Sequence, residues 1–174
     1  MKKFMALFLI IVIGAMIIPQ LALAQEAPAE YYQIYRLYNS QAHDHLYTAS
    51  WEESEKVQTM GFILEEKFGY LSTRQLLQNQ TPFYRLYNKK THKHFYIDNN
   101  DELADLVLHH DFVFEGTLGF LSNPSFATDQ GRLFRLYNPA NNDHLYTANW
   151  VEWGMLQLSG WRDEGSLQGK LYIK

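Results

Sequence analysis

One pattern, written three times, fixes what this chain can fold into. Tyr35-Arg36-Leu37-Tyr38-Asn39 is followed by His45-Leu46-Tyr47-Thr48. Tyr84-Arg85-Leu86-Tyr87-Asn88 is followed by His94-Phe95-Tyr96, and Phe134-Arg135-Leu136-Tyr137-Asn138 by His144-Leu145-Tyr146-Thr147. The arginines are 49 and then 50 residues apart, the histidines likewise, and Arg to His is 9 residues in each copy. A unit this small cannot bury its own faces, so three of them must pack on one another.

The copies share a grammar. A short strand with alternating character opens each: Gln33 to Tyr38, Phe83 to Tyr87, Leu133 to Tyr137. A polar loop rich in Asn, Asp, Pro and Ser turns it into a second strand beginning at His45, His94 or His144. A helix of about ten residues follows. Ser50 with Glu53 and Asn149 with Glu152 read as capping boxes, and Asn99 or Asn100 precedes the acidic turn Asp101-Glu102. Gly61 and Gly160 mark two helix ends, with Asp111 in that place in the middle copy. A third strand is expected at Phe62 to Glu65, Phe112 to Glu115 and Trp161 to Glu164. A fourth is expected at Gly69 to Ser72, Gly119 to Ser122 and Gly169 to Tyr172.

The expected fold is therefore mainly β with a short helix per repeat. Twelve short strands close around a pseudo-threefold axis in a β-trefoil-like arrangement, with a small three-bladed propeller as the alternative. The repeats span 32–80, 81–130 and 131–174 and form a single domain.

Met1-Lys2-Lys3, an apolar run from Phe4 to Ile18 and the small-x-small pattern Ala22-Leu23-Ala24 read as a signal peptide over residues 1–24. The run is shorter than the roughly 20 residues that span a bilayer. Export to the periplasm or the medium is the expectation, with residues 25–31 as a mobile lead-in. Without Lys2 and Lys3 the chain carries 13 basic against 19 acidic side chains, a formal charge of −6. That balance, with no basic stripe, argues against nucleic acid as a partner. There is no cysteine, so core packing and hydrogen bonds must hold an exported chain together.

Alternation puts Arg36 and Tyr38 on one face of the hairpin with His45 and Tyr47, and Leu37 with Leu46 on the other. The leucine face is expected to be core, and the polar-aromatic face is the candidate binding face. Aromatic rings with polar tips beside Asn, Asp and His suit neutral polar ligands such as sugars. The candidate ligand contacts are Asn39, Asp44, His45, Tyr47 and Trp51, then Asn88, His94 and Tyr96, then Asn138, Asp143, His144, Tyr146 and Trp150. The middle copy departs, with Lys93 for Asp and Asn100 for Trp. A structural reading stands beside this one. Arg36, Arg85 and Arg135 can pair with Glu65, Glu115 and Glu164, which recur in register, and the histidines can cap a loop.

His43-Asp44-His45 and His92-Lys93-His94 are His-x-His pairs, but the third copy has Asn142-Asp143-His144. No metal site and no cofactor are expected. There is no Gly-x-Ser-x-Gly, His-Glu-x-x-His, P-loop or dinucleotide fingerprint, so no catalytic residues are assigned. Three similar sites suit multivalent binding to a polymer or surface better than chemistry.

Arg-Leu-Tyr-Asn, then Asp-His-Leu-Tyr-Thr, then Gly-(Phe/Trp)-x-x-Glu-Gly resembles a repeat domain of unknown function found in secreted bacterial proteins. The resemblance covers about residues 32 to 174. Members of that family often accompany cell-wall or polysaccharide-active modules, which implies a surface or carbohydrate-binding role. The family brings no catalytic residues. This chain departs from the pattern at Lys93, at Ile97 in place of Thr, and at Glu66 where the other copies have Gly116 and Gly165. The expected function is a secreted, non-catalytic, lectin-like module that recognises a glycan or cell-envelope polymer. A protein-interaction or structural module of the envelope is the alternative, and a cell-wall hydrolase ranks third.

The leader makes a direct prediction. Mass spectrometry of the protein recovered from the exported fraction is expected to give an N-terminus at Gln25. A product beginning at Met1 in that fraction would rule the cleavage out.

Overall fold

The computed structural model describes residues 31–76, 78–122 and 131–172. The expected signal peptide, nearly all of the 25–31 lead-in and the junction 123–130 lie outside the described residues. Three strand–strand–helix–strand units follow one another. They are β1 (Tyr31–Asn39), β2 (Asp44–Thr48), α1 (Trp51–Gln58) and β3 (Ile63–Ser72); β4 (Pro82–Asn88), β5 (Lys93–Ile97), α2 (Asn100–His109) and β6 (Phe112–Phe120); and β7 (Arg132–Asn138), β8 (Asp143–Thr147), α3 (Trp150–Leu158) and β9 (Arg162–Lys170). Among the described residues no helix is long and apolar enough to cross a membrane.

Among the described residues the fold is mainly β, with three helices and two sheets, neither closed on itself. One sheet has the order β2-β1-β3-β6-β4-β5 and the other β8-β7-β9. The hairpin registers follow the alternation of the sequence, with Tyr38 opposite His45 and Arg36 opposite Tyr47, repeated in both later units.

The expected twelve strands are nine. Where the sequence suggests a Gly-containing turn between a third and a fourth strand, the chain stays paired and slips register. Against β1, β3 shifts between Ile34 and Tyr35 and again between Arg36 and Leu37. β6 and β9 shift at the equivalent places. A bulge admits an extra residue and bends the strand without ending it.

The long third strands meet at their C-terminal ends. Ser72 pairs with Phe120, Ser122 with Lys170, and Tyr70 with Tyr172. Glycine is required at this junction. A Cβ on Gly119 would lie 2.8 Å from Leu71 Cβ, and one on Gly169 would collide with Leu121 and Thr81. Gly69 is similarly close to Leu171. Each unit's glycine thus admits the preceding unit's leucine, the first unit taking the last unit's Leu171.

Both faces of each hairpin are largely covered, the polar-aromatic one completely at Tyr47, Tyr96 and Tyr146 and partly at Tyr38, Tyr87 and Tyr137. The leucine face packs under the unit's own helix. Leu86, Phe95 and Ile97 meet Leu103 and Leu106 of α2, and Leu136 and Leu145 meet Trp153 and Leu156 of α3. The opposite face packs against the other units. Ile34, Phe83 and Leu133, Tyr47, Tyr96 and Tyr146, and Leu71, Leu121 and Leu171 share one central core.

That core is organised by a tyrosine ring. The Tyr96 hydroxyl donates to Tyr47 O (3.2 Å) and accepts from Tyr47 N–H (2.7 Å). Tyr146 does the same for Tyr96 (2.7 and 2.9 Å), and Tyr47 for Tyr146 (2.8 and 2.8 Å). The rings meet edge to face at 5.0, 5.4 and 5.6 Å. β2, β5 and β8 are sheet edges, and each phenol satisfies the main-chain pair that an edge strand leaves open.

Tyr96→Phe removes one donor and one acceptor from a site with no solvent access. It is expected to lower folding stability by about 1–3 kcal/mol, read from urea denaturation. An unchanged midpoint would show that the edge groups find other partners.

Candidate functional site

The repeated polar residues lie at the seams between units, and their partners come from two units at once. Arg36 Nε donates to Glu65 of its own unit (2.8 Å), while its two terminal nitrogens grip Glu152 at the start of α3 (2.9 and 2.8 Å). Arg85 lies 2.9 Å from Glu115 and is bidentate to Glu53 of α1 (2.9 and 3.0 Å). Arg135 donates to Glu102 of α2 (2.9 Å). Its Nε is 3.1 Å from Glu164 but makes no aligned hydrogen bond, and its guanidinium lies over the Phe95 ring at 5.0 Å. The Arg–Glu pairs expected from the sequence are therefore present within each unit. A second, inter-unit carboxylate joins each of them.

Those second carboxylates were read from the sequence only as helix-capping residues. The caps themselves form, since Ser50 accepts from Glu53 N–H and Asn99 and Asn149 each accept two amides of the first turn. The Glu53 side chain, however, bonds the Thr48 hydroxyl and the next unit's arginine. Glu53, Glu102 and Glu152 recur at the same 49- and 50-residue spacing as the arginines, and that register was the available signal.

Charge follows from this packing. Burial alone would lower the basicity of Arg36, but Tyr47, Glu152 and Glu66 more than offset it and raise its pKa well above the ordinary range. Burial would raise Glu53, Glu152 and Glu164, yet hydrogen bonds from Arg85 and Thr48, from Arg36 and Thr147, and from His144 hold them below the usual carboxylate value. Glu66, which shares Arg36 with two other carboxylates, is pushed up, first by burial. Burial also holds the three ring phenols above their ordinary range, so they act as neutral donors.

The histidines complete the seams. His45 Nδ1 donates to Asp143 Oδ2 (2.7 Å), and its main-chain N–H donates to Asp143 Oδ1 (3.2 Å). His94 does the same with Asp44 (2.6 and 2.9 Å). The Nε2 atoms of His45, His94 and His144 face Glu65, Glu115 and Glu164 at 3.7, 3.6 and 3.4 Å.

The other candidate ligand contacts divide by burial. Tyr47, Tyr96 and Tyr146 are fully inaccessible in the ring. Asn39 and Asn88 order the hairpin loops, each side-chain oxygen accepting two amides, and Asn138 accepts one from Ala140. The following loop residues His43, His92 and Asn142 have φ of 51°, 58° and 60° and face Tyr38, Tyr87 and Tyr137. His43 and His45 thus serve different partners, and among the described residues no cluster of three potential ligands could hold a metal. Trp51 and Trp150 are half exposed, the first tilted against Tyr35 (5.2 Å) and the second edge to face with Phe134 (4.6 Å).

Sequence reasoning did not single out an opening beside the middle unit, to which residues of the other two units contribute. A cleft of about 540 Å³ is bounded by Gln75, Gln78, Gln80, Tyr84, Asp98, Asn100, Asp101 and Gln168. Two of these residues are departures from the repeat. Asp98 replaces Ala49 and Ala148, and Asn100 replaces Trp51 and Trp150. Asp98 accepts from Gly169 N–H (2.7 Å) and the Thr81 hydroxyl (3.2 Å); burial raises its pKa despite those bonds. Asn100 accepts from the Tyr84 hydroxyl (2.6 Å). The chemistry on offer is amide donors and acceptors, carboxylates and one tyrosine ring, with no cationic side chain on the wall among the described residues.

Stability should report the seams through pH. Glu53 titrates below its unfolded value of about 4.5, so the stabilisation it lends is complete above that pH and is lost as pH falls through its folded pKa. Glu53→Gln is expected to cost about 1–2 kcal/mol at pH 7 and to flatten the acid limb of the stability curve below pH 4.5. A variant with the parent's acid limb would show that the Arg85 clamp is not what acid breaks.

A family described as a domain of unknown function, DUF5648, matches residues 33–168. No curated protein and no solved structure matches the chain.

Proposed function

Because the chain belongs to the DUF5648 family, whose description names no activity, we propose its role from its own geometry: an exported, non-catalytic module that binds a neutral carbohydrate of the cell envelope in the cleft of the middle unit. In this reading the three units are arranged about a common pseudo-threefold axis, as the cyclic tyrosine bonds support. The repeated Arg, Glu, Asp, His and Tyr residues hold the units together, and the ligand contacts are the residues that break the repeat.

The observation that carries this is the lining of the cleft. Gln75, Gln78, Gln168 and Asn100 are exposed, and each amide supplies both donors and acceptors. Neutral hydroxyls are matched by that pairing of donors and acceptors, and Asp98 and Asp101 on the same wall disfavour an anion. Tyr84 supplies a ring for a sugar's C–H face. The volume lies within the usual range for small-molecule sites, about 300–1,000 Å³. The leader expected at residues 1–24 and the absence of cysteine fit an exported envelope protein.

One observation favours the second reading, a protein-interaction module. The outer side of α3 exposes Trp150, Val151, Met155 and Leu158, the last 85% accessible.

A pull-down of the purified protein on peptidoglycan and a neutral glycan panel tests the choice. The parent is expected to bind, and Gln78→Ala/Asn100→Ala to bind at least about tenfold more weakly with an unchanged melting temperature. His45→Ala is expected to lower the melting temperature instead. Failure of the parent to bind any glycan would sink the carbohydrate reading and leave the interaction module.

A further inference from the structure

The seam between the middle and last units lacks a group that the other two seams possess. Asp143 closes the seam between the last and first units, and Asp44 the seam between the first and middle ones. In both, one carboxylate takes a main-chain N–H and a ring N–H from the same histidine. The residue that should close the third seam on His144 is Lys93. Its ammonium is turned away and donates to the main-chain oxygens of Ala42 and His43.

His144 is otherwise placed as its counterparts are. It lies opposite Tyr137 in the same register, tilts against that ring at 4.9 Å and keeps Nε2 toward Glu164 at 3.4 Å. Among the described residues nothing bonds its Nδ1. Its main-chain N–H is also committed in direction. In an antiparallel pair, N–H groups two residues apart point the same way. Tyr146 N–H points off the sheet edge to the Tyr47 hydroxyl, so His144 N–H points off that edge as well. A cavity of about 200 Å³ opens at this place, walled by His144, Lys93, Phe95, Phe112 and Tyr137.

We propose that this seam binds a carboxylate supplied by a ligand, in the position that Asp143 and Asp44 occupy in the other two. One oxygen accepts from His144 N–H and the other from His144 Nδ1–H. Phe95 and Phe112 cover the hydrocarbon part. A bidentate, charge-assisted pair of this kind is stronger and more directional than neutral hydrogen bonds. The cavity holds the volume of about six waters, enough for a carboxylate on a short stem. No residue lining this cavity lines the carbohydrate cleft, so either proposal can fail alone.

Titration of the 15N-labelled protein, followed at the His144 amide, tests the site. One arm uses D-glucuronate and the other N-acetyl-alanine, with the corresponding amides as neutral controls, so that a sugar acid and a peptide terminus are told apart. At least one carboxylate is expected to move the His144 amide saturably while its neutral control does not. The tighter arm names the source. Lys93→Asp restores the internal carboxylate and is expected to weaken that binding more than tenfold while raising the melting temperature. The parent titration needs no variant, so it decides even if Lys93→Asp does not fold. An unmoved His144 amide in both arms, equal shifts with the neutral controls, or a folded Lys93→Asp variant that binds as the parent does would overturn the proposal.

Discussion

The structure depends on how three short edge strands are finished. β2, β5 and β8 each expose one row of main-chain groups, and those rows face the middle of the molecule. Water cannot reach them there, and an unpaired buried amide or carbonyl costs on the order of 1–3 kcal/mol. The solution is a side chain that donates and accepts at once. A phenol does this and brings a large apolar ring with it. Tyr47, Tyr96 and Tyr146 each close the next edge and fill the space between the edges. Phenylalanine would fill the space and leave the edge open, and serine would do the reverse.

Charge then locks what the tyrosines join. A guanidinium buried beside apolar rings is tolerated only when fully paired. Each arginine takes one carboxylate from its own third strand and one from another unit's helix, so no unit can satisfy its arginine alone. Removing one helix glutamate therefore strands a charge in another unit. The helix start is the right place for that glutamate. Its N-cap fixes the first turn, and the carboxylate three residues on is aimed with little freedom left to lose.

Much of this was legible in the sequence. The registers of Tyr38 with His45 and Arg36 with Tyr47 followed from alternation and a short loop, and the caps at Ser50, Asn99 and Asn149 from residue type. The Arg36–Glu65 pair followed from recurrence. What escaped has a common physical cause. Gly69 and its counterparts looked like turns because glycine marks both turns and bulges, and only the partner strand distinguishes them. What covers the polar-aromatic face was not legible, because a single hairpin gives no sign of what packs against it. The Glu53–Arg85 clamp joins residues 32 apart in different units, and no local rule reaches that far. The cleft around Asp98 draws on β4, α2 and residues before and after them, including Gln168, which sequence separation hides entirely.

The middle unit is where the symmetry of partners fails, and the openings follow the failure. In a set of equal units every polar group's partner is supplied by the repeat, so equal seams leave nothing for a ligand to satisfy. Lys93, Phe95, Asp98 and Asn100 all replace residues that the other two copies share. Lys93 leaves His144 without its carboxylate and opens one cavity. Asp98 and Asn100 place acid and amide where the other units have alanine and tryptophan, at the edge of the larger cleft. In the first and last units the same places hold Ala49 and Ala148, packed against the central core, and Trp51 and Trp150, whose rings rest against Tyr35 and Phe134 of their own hairpins. The conserved geometry of two seams thus serves as an internal control for the third: it states which atoms want a partner, which chemistry that partner must have, and where it must stand.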